Sequence, residues 1–510
     1  MTDSFLWIGL TNVFSPLNLA AIIGGTMIGM LVGAMPGLSA TMAIALLLPL
    51  TFSMEPETGI SMLTSLYIAA MYGGSVAAIL LRTPGTPAAA ATVLDGYPMA
   101  SRGEAGRALG LSLSASLVGG VVAAIALLTI APLLGRIVLN FGPVEIFAVA
   151  VLGITIIGSL SAGSTILGLL AGAIGLLLGT VGMDPTTGTP RYTFGVMNLF
   201  SGIEFTVALI GLFSVPQAIR LMLHSNTDDS ARVSNIRDRM LPTLKQFREI
   251  LPNSLRSSMI GVLTGLIPGT GGDTASWFAY NEARRFSKDK AKFGTGHPQG
   301  IVAPEAANNA VVGGALVPTI ALGIPGSSAT AVLLGGLMVH GILPGPTLMT
   351  EYGDVTYTLL WAVLFANIAL MVVGIFFTRL CVAVTKIPDR VVGPVIIVLS
   401  VVGSYAINNA MFDVWLMFVF GLVGFIFDRV GIPTPPLVIG LILGPILDTS
   451  LQQSLLIGQG SWLVFLQSPI SAVLLAIAML SVLQSAISAY LLGKSTSKGR
   501  TATEVSEGHE

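Results

Sequence analysis

Long apolar stretches without charge decide what this chain can fold into. A membrane-spanning helix needs about 20 mainly apolar residues, because lipid offers no partner for backbone N–H and C=O groups. Residues 59–81, 108–131 and 356–378 are three such stretches, and others follow along the chain. Of the 510 residues, 53% are apolar and only 10% are charged, which excludes a soluble enzyme, a disordered protein and a nucleic-acid binder. We therefore expect a protein embedded in lipid.

The apolar stretches are continuous rather than alternating, which favours helices. We expect an all-α polytopic membrane protein with about ten to twelve transmembrane helices, some of them broken or re-entrant. Sixty glycines and 28 prolines predict helices that pack closely and are interrupted at defined points.

The chain contains an internal repeat. Residues 27–37 (MIGMLVGAMPG) match residues 259–269 (MIGVLTGLIPG) at 7 of 11 positions, and Pro84-Gly85-Thr86 matches Pro325-Gly326-Ser327. We predict a first transmembrane repeat over residues 1–255, a second over 256–494, and a disordered tail over 495–510.

The distribution of Lys and Arg predicts opposite orientations for the two repeats. Residues 1–81 and 293–378 contain neither residue, whereas residues 220–256 and 284–292 are basic. Basic loops stay in the cytoplasm, and so, on the same argument, does the tail after Lys494. Equivalent Pro-Gly units then face opposite sides. Such inverted repeats are typical of secondary transporters with a substrate site near the bilayer midplane, although channels and membrane enzymes contain them too.

Residues 257–283 read as a re-entrant hairpin, because arms of about 11 and 9 residues are too short to cross the bilayer. Its turn would bury backbone N–H groups, hydroxyls and the Asp273 carboxylate. N–H groups suit an anion, and carbonyl ends suit a cation. The alternative is a helix kink packed by glycines.

Other Pro-Gly breaks lie at corresponding places in the two repeats. Arg82 follows more than 20 apolar residues. Its guanidinium could form a bidentate ion pair with a substrate carboxylate, or its side chain could simply extend to the membrane interface. The predicted substrate-binding residues are Pro36, Gly37, Ser39, Arg82, Thr83, Pro84, Gly85, Thr86, Pro268, Gly269, Thr270, Pro325, Gly326, Ser327 and Ser328.

A second set of oxygen-bearing residues could bind a coupling cation. Glu305 and Asn309 are four residues apart on one helical face with Asn308 beside them, although Glu305 alone could be a helix cap. The predicted cation-binding residues are Asp273, Thr274, Glu305, Asn308 and Asn309. The first-repeat counterpart is expected near residue 70, with Tyr72 and Ser75 in place of the amides.

Signatures of enzymes are missing from the sequence. It has no GxSxG elbow, no Walker A loop, no zinc motif and a single cysteine, Cys381. We expect no enzymatic activity, no ATPase partner, no metal site beyond possible Na⁺ and no other cofactor.

Five motifs together resemble a known family. They are Gly33-Ala-Met-Pro-Gly-Leu38, Tyr72-Gly-Gly-Ser75 with Arg82-Thr-Pro-Gly-Thr-Pro87, Gly265-Leu-Ile-Pro-Gly-Thr-Gly-Gly272, Pro304-Glu-Ala-Ala-Asn-Asn309 and Gly323-Ile-Pro-Gly-Ser327. Over residues 15–490 the chain resembles the large permease subunit of the tripartite tricarboxylate transporters, the TctA family.

The resemblance implies a multi-pass protein of the bacterial inner membrane that takes up citrate-like or other carboxylates, typically with sodium. It also implies two partners, a small TctB-like membrane subunit and a periplasmic TctC-like solute-binding protein. An anion channel or a membrane scaffold built on the same inverted repeat stays open as the alternative.

Overall fold

The computed structural model of the chain describes residues 2–35, 37–160, 165–184, 187–223, 238–268, 271–384, 389–480 and 483. The predicted site residues Pro36, Gly269 and Thr270 and the predicted tail, 495–510, lie outside the described residues.

The described chain is helical almost throughout. In chain order the helices are α1 (Thr2–Val13), α2 (Pro16–Ala34), α3 (Ala40–Leu47), α4 (Pro56–Leu81), α5 (Ala90–Met99), α6 (Ala105–Val138), α7 (Pro143–Leu160), α8 (Thr165–Gly179), α9 (Phe205–Leu209), α10 (Val215–Leu223), α11 (Leu244–Gly265), α12 (Gly271–Phe286), α13 (Pro298–Leu322), α14 (Ser328–Val339), α15 (Gly353–Val384), α16 (Asp389–Asn408), α17 (Met411–Val430), α18 (Thr434–Ile457) and α19 (Val464–Gln467). The strands described are β1 (Gly182–Met183) and β2 (Pro190–Arg191), which pair antiparallel.

Eight helical segments of the described chain are long and apolar enough to cross a membrane. Shorter apolar helices accompany them, among them Ser328–Val339 and Pro469–Leu480. The prediction of an all-α polytopic membrane protein is confirmed. The number of crossings, ten to twelve, stays a prediction.

The chain divides into two compact units, which are not the two sequence halves. One contains residues Met1–Asn140 and Ile203–Arg429, and the other contains Phe141–Gly202 and Val430–Glu510. Each unit therefore takes segments from both predicted repeats. The repeat boundaries at residues 255 and 494 stay a prediction.

Two helices form the centre of the first unit. In α4 every residue from Thr58 to Leu80 is buried, and in α13 the same holds from Gly300 to Ala321. Because protein surrounds these helices on all sides, their polar side chains can be matched by polar partners rather than by lipid.

Glycines allow α2 to approach α4 closely. A Cβ on Gly29 would overlap the carbonyl oxygen of Leu66, and one on Gly33 would overlap that of Ala70. Glycines spaced four residues apart form one face of a helix, so the two backbones can touch along it.

The second repeat has the same packing between α11 and α13. A Cβ on Gly261 would overlap the carbonyl oxygen of Ala307, and one on Gly265 would lie 2.7 Å from that of Val311. These glycines follow Gly29 and Gly33 at the same separation as Met259 follows Met27. Two copies of one helix-packing unit would produce this pair of contacts.

Broken helices follow α2 and α11, as expected. With 16 residues, α12 is about 24 Å long, and α3 has only 8 residues, so neither spans a hydrocarbon core of about 30 Å. The arms of the hairpin predicted over residues 257–283 are longer than the predicted 11 and 9 residues. With 22 residues, α11 is about 33 Å long, so the expectation that both arms are too short to cross the bilayer is wrong for α11. The first arm, α11, already begins at Leu244, where Thr243 and Gln246 form a capping box.

The second unit contains α7, α8, α18 and α19 with the β1–β2 pair. A Cβ on Gly175 of α8 would overlap the carbonyl oxygen of Leu437 in α18, so these helices also pack backbone to backbone. Arg191 of β2 pairs with Asp184 and, at 2.7 Å, with Asp448 of α18. These ion pairs hold the short strands against the helical part of this unit.

Candidate functional site

Hydroxyl groups join the N-termini of α3 and α14. The Thr41 and Ser328 side-chain oxygens lie 3.0 Å apart, one in the first turn of each helix. The phenol of Tyr67, on α4, lies 3.2 Å from the hydroxyl of Ser327, which caps α14 together with Thr330. We call Thr41, Tyr67, Ser327, Ser328 and Thr330 the hydroxyl site. Hydroxyl donors beside two helix N-termini favour a negatively charged group.

Part of this arrangement was predicted. Ser39 caps α3 by accepting the N–H of Met42 at 3.2 Å, and Ser327 and Ser328 begin α14. Tyr67, Thr41 and Thr330 were missed, since none of them lies at a Pro-Gly break.

A second cluster of buried polar groups lies near the start of α12. The Asn308 side-chain nitrogen reaches the carbonyl oxygen of Met71 at 3.5 Å, while its oxygen Oδ1 has no hydrogen-bond partner among the described residues. That oxygen is 2.7 Å from where a Cβ on Gly272 would lie. The hydroxyl of Thr86, beside Gly74 of α4, is also buried and without a partner there. Thr86 packs on Gly74, and Asn308 reaches Met71 about one helical turn earlier in α4, so we call Thr86, Gly272 and Asn308 the amide site.

Glu305 lies in the N-terminal half of α13 and is fully buried. Its carboxylate accepts a hydrogen bond from Ser75 at 2.6 Å and another from the hydroxyl of Thr92. The alternative that Glu305 caps a helix is wrong, because α13 begins at Pro298 and its N-cap is His297.

Asn308 and Asn309 have different neighbours although they are adjacent in sequence. The side-chain nitrogen of Asn309 donates to Ser116 of α6 at 2.8 Å, whereas that of Asn308 is directed to α4. The predicted cation-binding residues therefore do not all face one place, since Asn308 contacts α4 and Asn309 contacts α6. Asp273 is exposed and Thr274 partly so, at the start of α12, and the expectation that the hairpin turn buries the Asp273 carboxylate is therefore wrong.

Arg82 ends α4 in a left-handed conformation, with φ of 59°. Its guanidinium lies over the ring of Tyr97, 5.7 Å from the centroid, and the side chain is exposed, as are Thr83 and Pro84. The two interpretations of Arg82 therefore both stay predictions.

The other break residues form close backbone contacts. The N–H of Gly85 donates to the carbonyl of Gly74 at 3.2 Å, and a Cβ on Gly85 would overlap the carbonyl oxygen of Gly33. Gly37 has a positive φ of 84°, and a Cβ there would lie 2.8 Å from the side-chain nitrogen of Gln217. Pro325 and Gly326 are buried, Gly326 against Ala315, and Pro268 is half-buried shortly after α11.

Equivalent contacts align the two repeats residue by residue. A Cβ on Gly85 would meet Gly74, and a Cβ on Gly326 would meet Ala315. Gly326 follows Gly85, and Ala315 follows Gly74, by the same number of residues as Pro325 follows Pro84. At that separation Tyr67 corresponds to Asn308, Thr86 to Ser327 and Arg82 to Gly323. The expectation that Tyr72 and Ser75 replace the amides is thus wrong. The phenol of Tyr72 instead lies 3.1 Å from the hydroxyl of Thr378, and the hydroxyl of Ser75 donates a hydrogen bond to Glu305.

Sequence reasoning also missed Asp95 of α5. Its buried carboxylate accepts the N–H groups of Gly294, Gly296 and His297 at 2.7–3.1 Å and the phenol of Tyr280 at 2.9 Å. Asp95 thereby fixes the loop between α12 and α13. Charge-assisted hydrogen bonds of this kind are about twice as strong as neutral ones.

His297 occupies the same loop. Burial lowers the pKa of its imidazole, which favours the neutral ring. A neutral ring can accept the backbone N–H of Gln299, which its Nδ1 does at 3.2 Å, and this contact caps α13.

An all-helical membrane protein with paired breaks and buried polar groups is the type of molecule that this fold defines. The chain belongs to the tripartite tricarboxylate transporter TctA family, whose sequence profile matches residues 19–439. It is thus a multi-pass transport protein of the large-subunit type.

Two relatives from Agrobacterium vitis are similar to this chain. One, described as an uncharacterized 52.8 kDa protein in the TAR-I ttuC' 3' region, is 36% identical over 479 residues, which are 94% of this chain and 95% of the relative. Another, described as an uncharacterized protein in the TAR-II ttuC' 3' region, is 34% identical over 223 residues, 44% of this chain and 92% of the relative. No solved structure shows significant similarity to this chain.

Proposed function

We propose that this chain is the permease subunit of a binding-protein-dependent secondary transporter that imports tricarboxylates or related carboxylates, coupled to sodium. The observation that carries the proposal is the hydroxyl site, where the N-termini of α3 and α14 meet beside Tyr67. A carboxylate there would gain hydrogen bonds from hydroxyls and a favourable interaction with two helix dipoles.

A substrate with several carboxylates needs more than one group to bind it. Arg82 offers an exposed guanidinium next to the break after α4, and its planar donors match a carboxylate at two points. Its left-handed backbone conformation supports a functional role, because a side chain other than glycine is strained there.

Sodium would balance the charge of the substrate and link uptake to the ion gradient. Oxygen atoms of Asn308, Asn309 and Glu305 are buried in α13, and Asp273 and Thr274 begin the neighbouring helix α12. Hard cations prefer such oxygen ligands. The sequence carries no nucleotide-binding motif, so an ion gradient is the energy source that we propose.

In this scheme the periplasmic TctC-like protein delivers the carboxylate to the outer face of the permease, and the small TctB-like subunit completes the assembly in the inner membrane. The breaks near Gly37, Pro84, Pro268 and Pro325 enclose substrate and ion, and one group of helices then moves against the rest. The basic loops and the C-terminus lie in the cytoplasm.

Uptake of a labelled panel of di- and tricarboxylates into proteoliposomes tests the proposal. The vesicles contain the permease with its small subunit, the binding protein is added outside, and an inward sodium gradient is present or absent. Uptake that needs both the gradient and the binding protein is expected. Downhill flux that needs neither would favour the channel alternative, and an absence of carboxylate flux would contradict the proposal.

A further inference from the structure

The two repeats place different chemistry at equivalent positions. In the first repeat, Tyr67 of α4 lies next to Ser327, and their oxygens are 3.2 Å apart. The corresponding pair is Asn308 of α13 and Thr86. There, both Oδ1 of Asn308 and Oγ1 of Thr86 lack a hydrogen-bond partner within the described part of the chain, and both residues are at least 96% buried.

Buried oxygens without partners require an explanation, because nearly all buried polar groups in folded proteins are satisfied. The repeat supplies an internal comparison. At the hydroxyl site Tyr67 and Ser327 contact each other, whereas at the amide site Oγ1 of Thr86 and Oδ1 of Asn308 have no partner among the described residues. A bound species that attracts oxygen lone pairs would complete it.

The character of that species follows from the neighbours. An amide oxygen and a hydroxyl oxygen are neutral ligands, which suit a monovalent cation better than a divalent ion that demands several carboxylates. Glu305, one helical turn before Asn308, places a carboxyl group in the same part of α13 without needing to touch the ion.

Gly272 leaves the oxygen of Asn308 accessible. A Cβ at Gly272 would lie 2.7 Å from Oδ1 of Asn308 and 3.0 Å from Cε of Met71. Any side chain at this position would therefore occupy the space beside the amide oxygen.

We infer that the duplicated site has diverged, so that each chain binds one sodium ion, at Thr86 and Asn308, whereas the equivalent first-repeat position, where Tyr67 and Ser327 face each other, binds no sodium. The inference rests on the proposed sodium coupling and adds its ligands and its stoichiometry. It assigns Thr86 to the ion rather than to the substrate.

Equilibrium binding of radioactive Na⁺ to the purified full-length chain measures this directly and does not depend on transport. One saturable Na⁺ per chain is expected, with affinity reduced at least tenfold in Thr86→Val, Asn308→Ala and Gly272→Ala. Asn308→Asp keeps an oxygen in place and should retain one ion. Thr26→Val is the matched control, because the buried hydroxyl of Thr26 already bonds the carbonyl of Ile22 at 2.7 Å.

Two ions per wild-type chain, no bound ion, or unchanged affinity in folded Thr86→Val and Asn308→Ala would each overturn the inference. Thermal unfolding and gel filtration identify variants that do not fold. If Asn308→Ala does not fold, the nearly isosteric Thr86→Val still tests the inference. One bound ion without carboxylate uptake would contradict the proposed function alone. Carboxylate uptake without any bound ion would contradict this inference and the sodium coupling on which it rests.

Discussion

The phenol oxygen of Tyr67 lies 3.2 Å from the hydroxyl of Ser327, although the two residues are 260 positions apart. A side chain from the middle of α4 therefore contacts the residue that caps α14. Through this contact, one helix of the first repeat positions the broken segment of the second.

Tyr67→Phe tests the role of this contact. Losing one hydrogen bond of about 1 kcal/mol should raise the KM for carboxylate uptake about fivefold, because Ser327 is no longer held in place. Tyr72→Phe is the matched control, since the phenol of Tyr72 contacts Thr378 instead. Uptake of radioactive substrate over a range of concentrations gives the KM of each variant. Equal KM values for Tyr67→Phe and wild type would remove Tyr67 from the site.

Replacing Arg82 by glycine should affect stability and transport in opposite directions. Arg82→Gly should raise the free energy of unfolding by up to about 1 kcal/mol, because glycine accepts the left-handed backbone without strain. The same change should weaken carboxylate uptake through loss of the guanidinium. Arg82→Ala keeps the backbone strain and loses the charge, so it separates the two effects. If Arg82→Ala leaves uptake and affinity unaltered, the proposed carboxylate contact is wrong.

Gly33→Ala should destabilise the fold strongly, by about 2 kcal/mol or more, because the new methyl group meets the backbone of Ala70 rather than a side chain that can turn away. Gly24→Ala in the same helix is the control, since its Cβ would have no neighbour within 4 Å. Thermal unfolding in detergent compares the two variants. Similar melting temperatures would show that α2 and α4 are less closely packed than described.

Asp95→Ala should cost about 3 kcal/mol or more, since it leaves the N–H groups of Gly296 and His297 and the buried Tyr280 phenol without their acceptor. Asp289→Ala removes an exposed carboxylate paired with Lys292 and should change stability by less than about 1 kcal/mol. Both values come from thermal unfolding of the purified chain. A mild effect at Asp95 would mean that the loop after α12 is held by other contacts.

The sequence predicts the helical class well because apolar length and Pro-Gly breaks are local signals. It also identifies the glycine repeat around Gly33 and Gly265, whose close packing the structure describes. Local patterns therefore account for the helices and for the places where they are interrupted.

Partners that are distant in sequence could not be predicted in this way. Tyr67 is an ordinary aromatic residue in an apolar run, and Asp95 accepts the N–H of Gly296 from 201 residues away. The correspondence of Tyr67 with Asn308 was within reach, since it follows from the separation of the two Pro-Gly breaks. General position along the two helices favours Tyr72 instead, which is five residues further along α4.

The most direct test of the whole account is the steady-state accumulation of a carboxylate substrate in proteoliposomes containing the complete transporter, measured while the inward sodium gradient is varied. If sodium drives uptake, the internal concentration exceeds the external one and rises with the gradient. Accumulation should then fall in Asn308→Ala. An internal concentration that never exceeds the external one, whatever the sodium gradient, would contradict coupled transport.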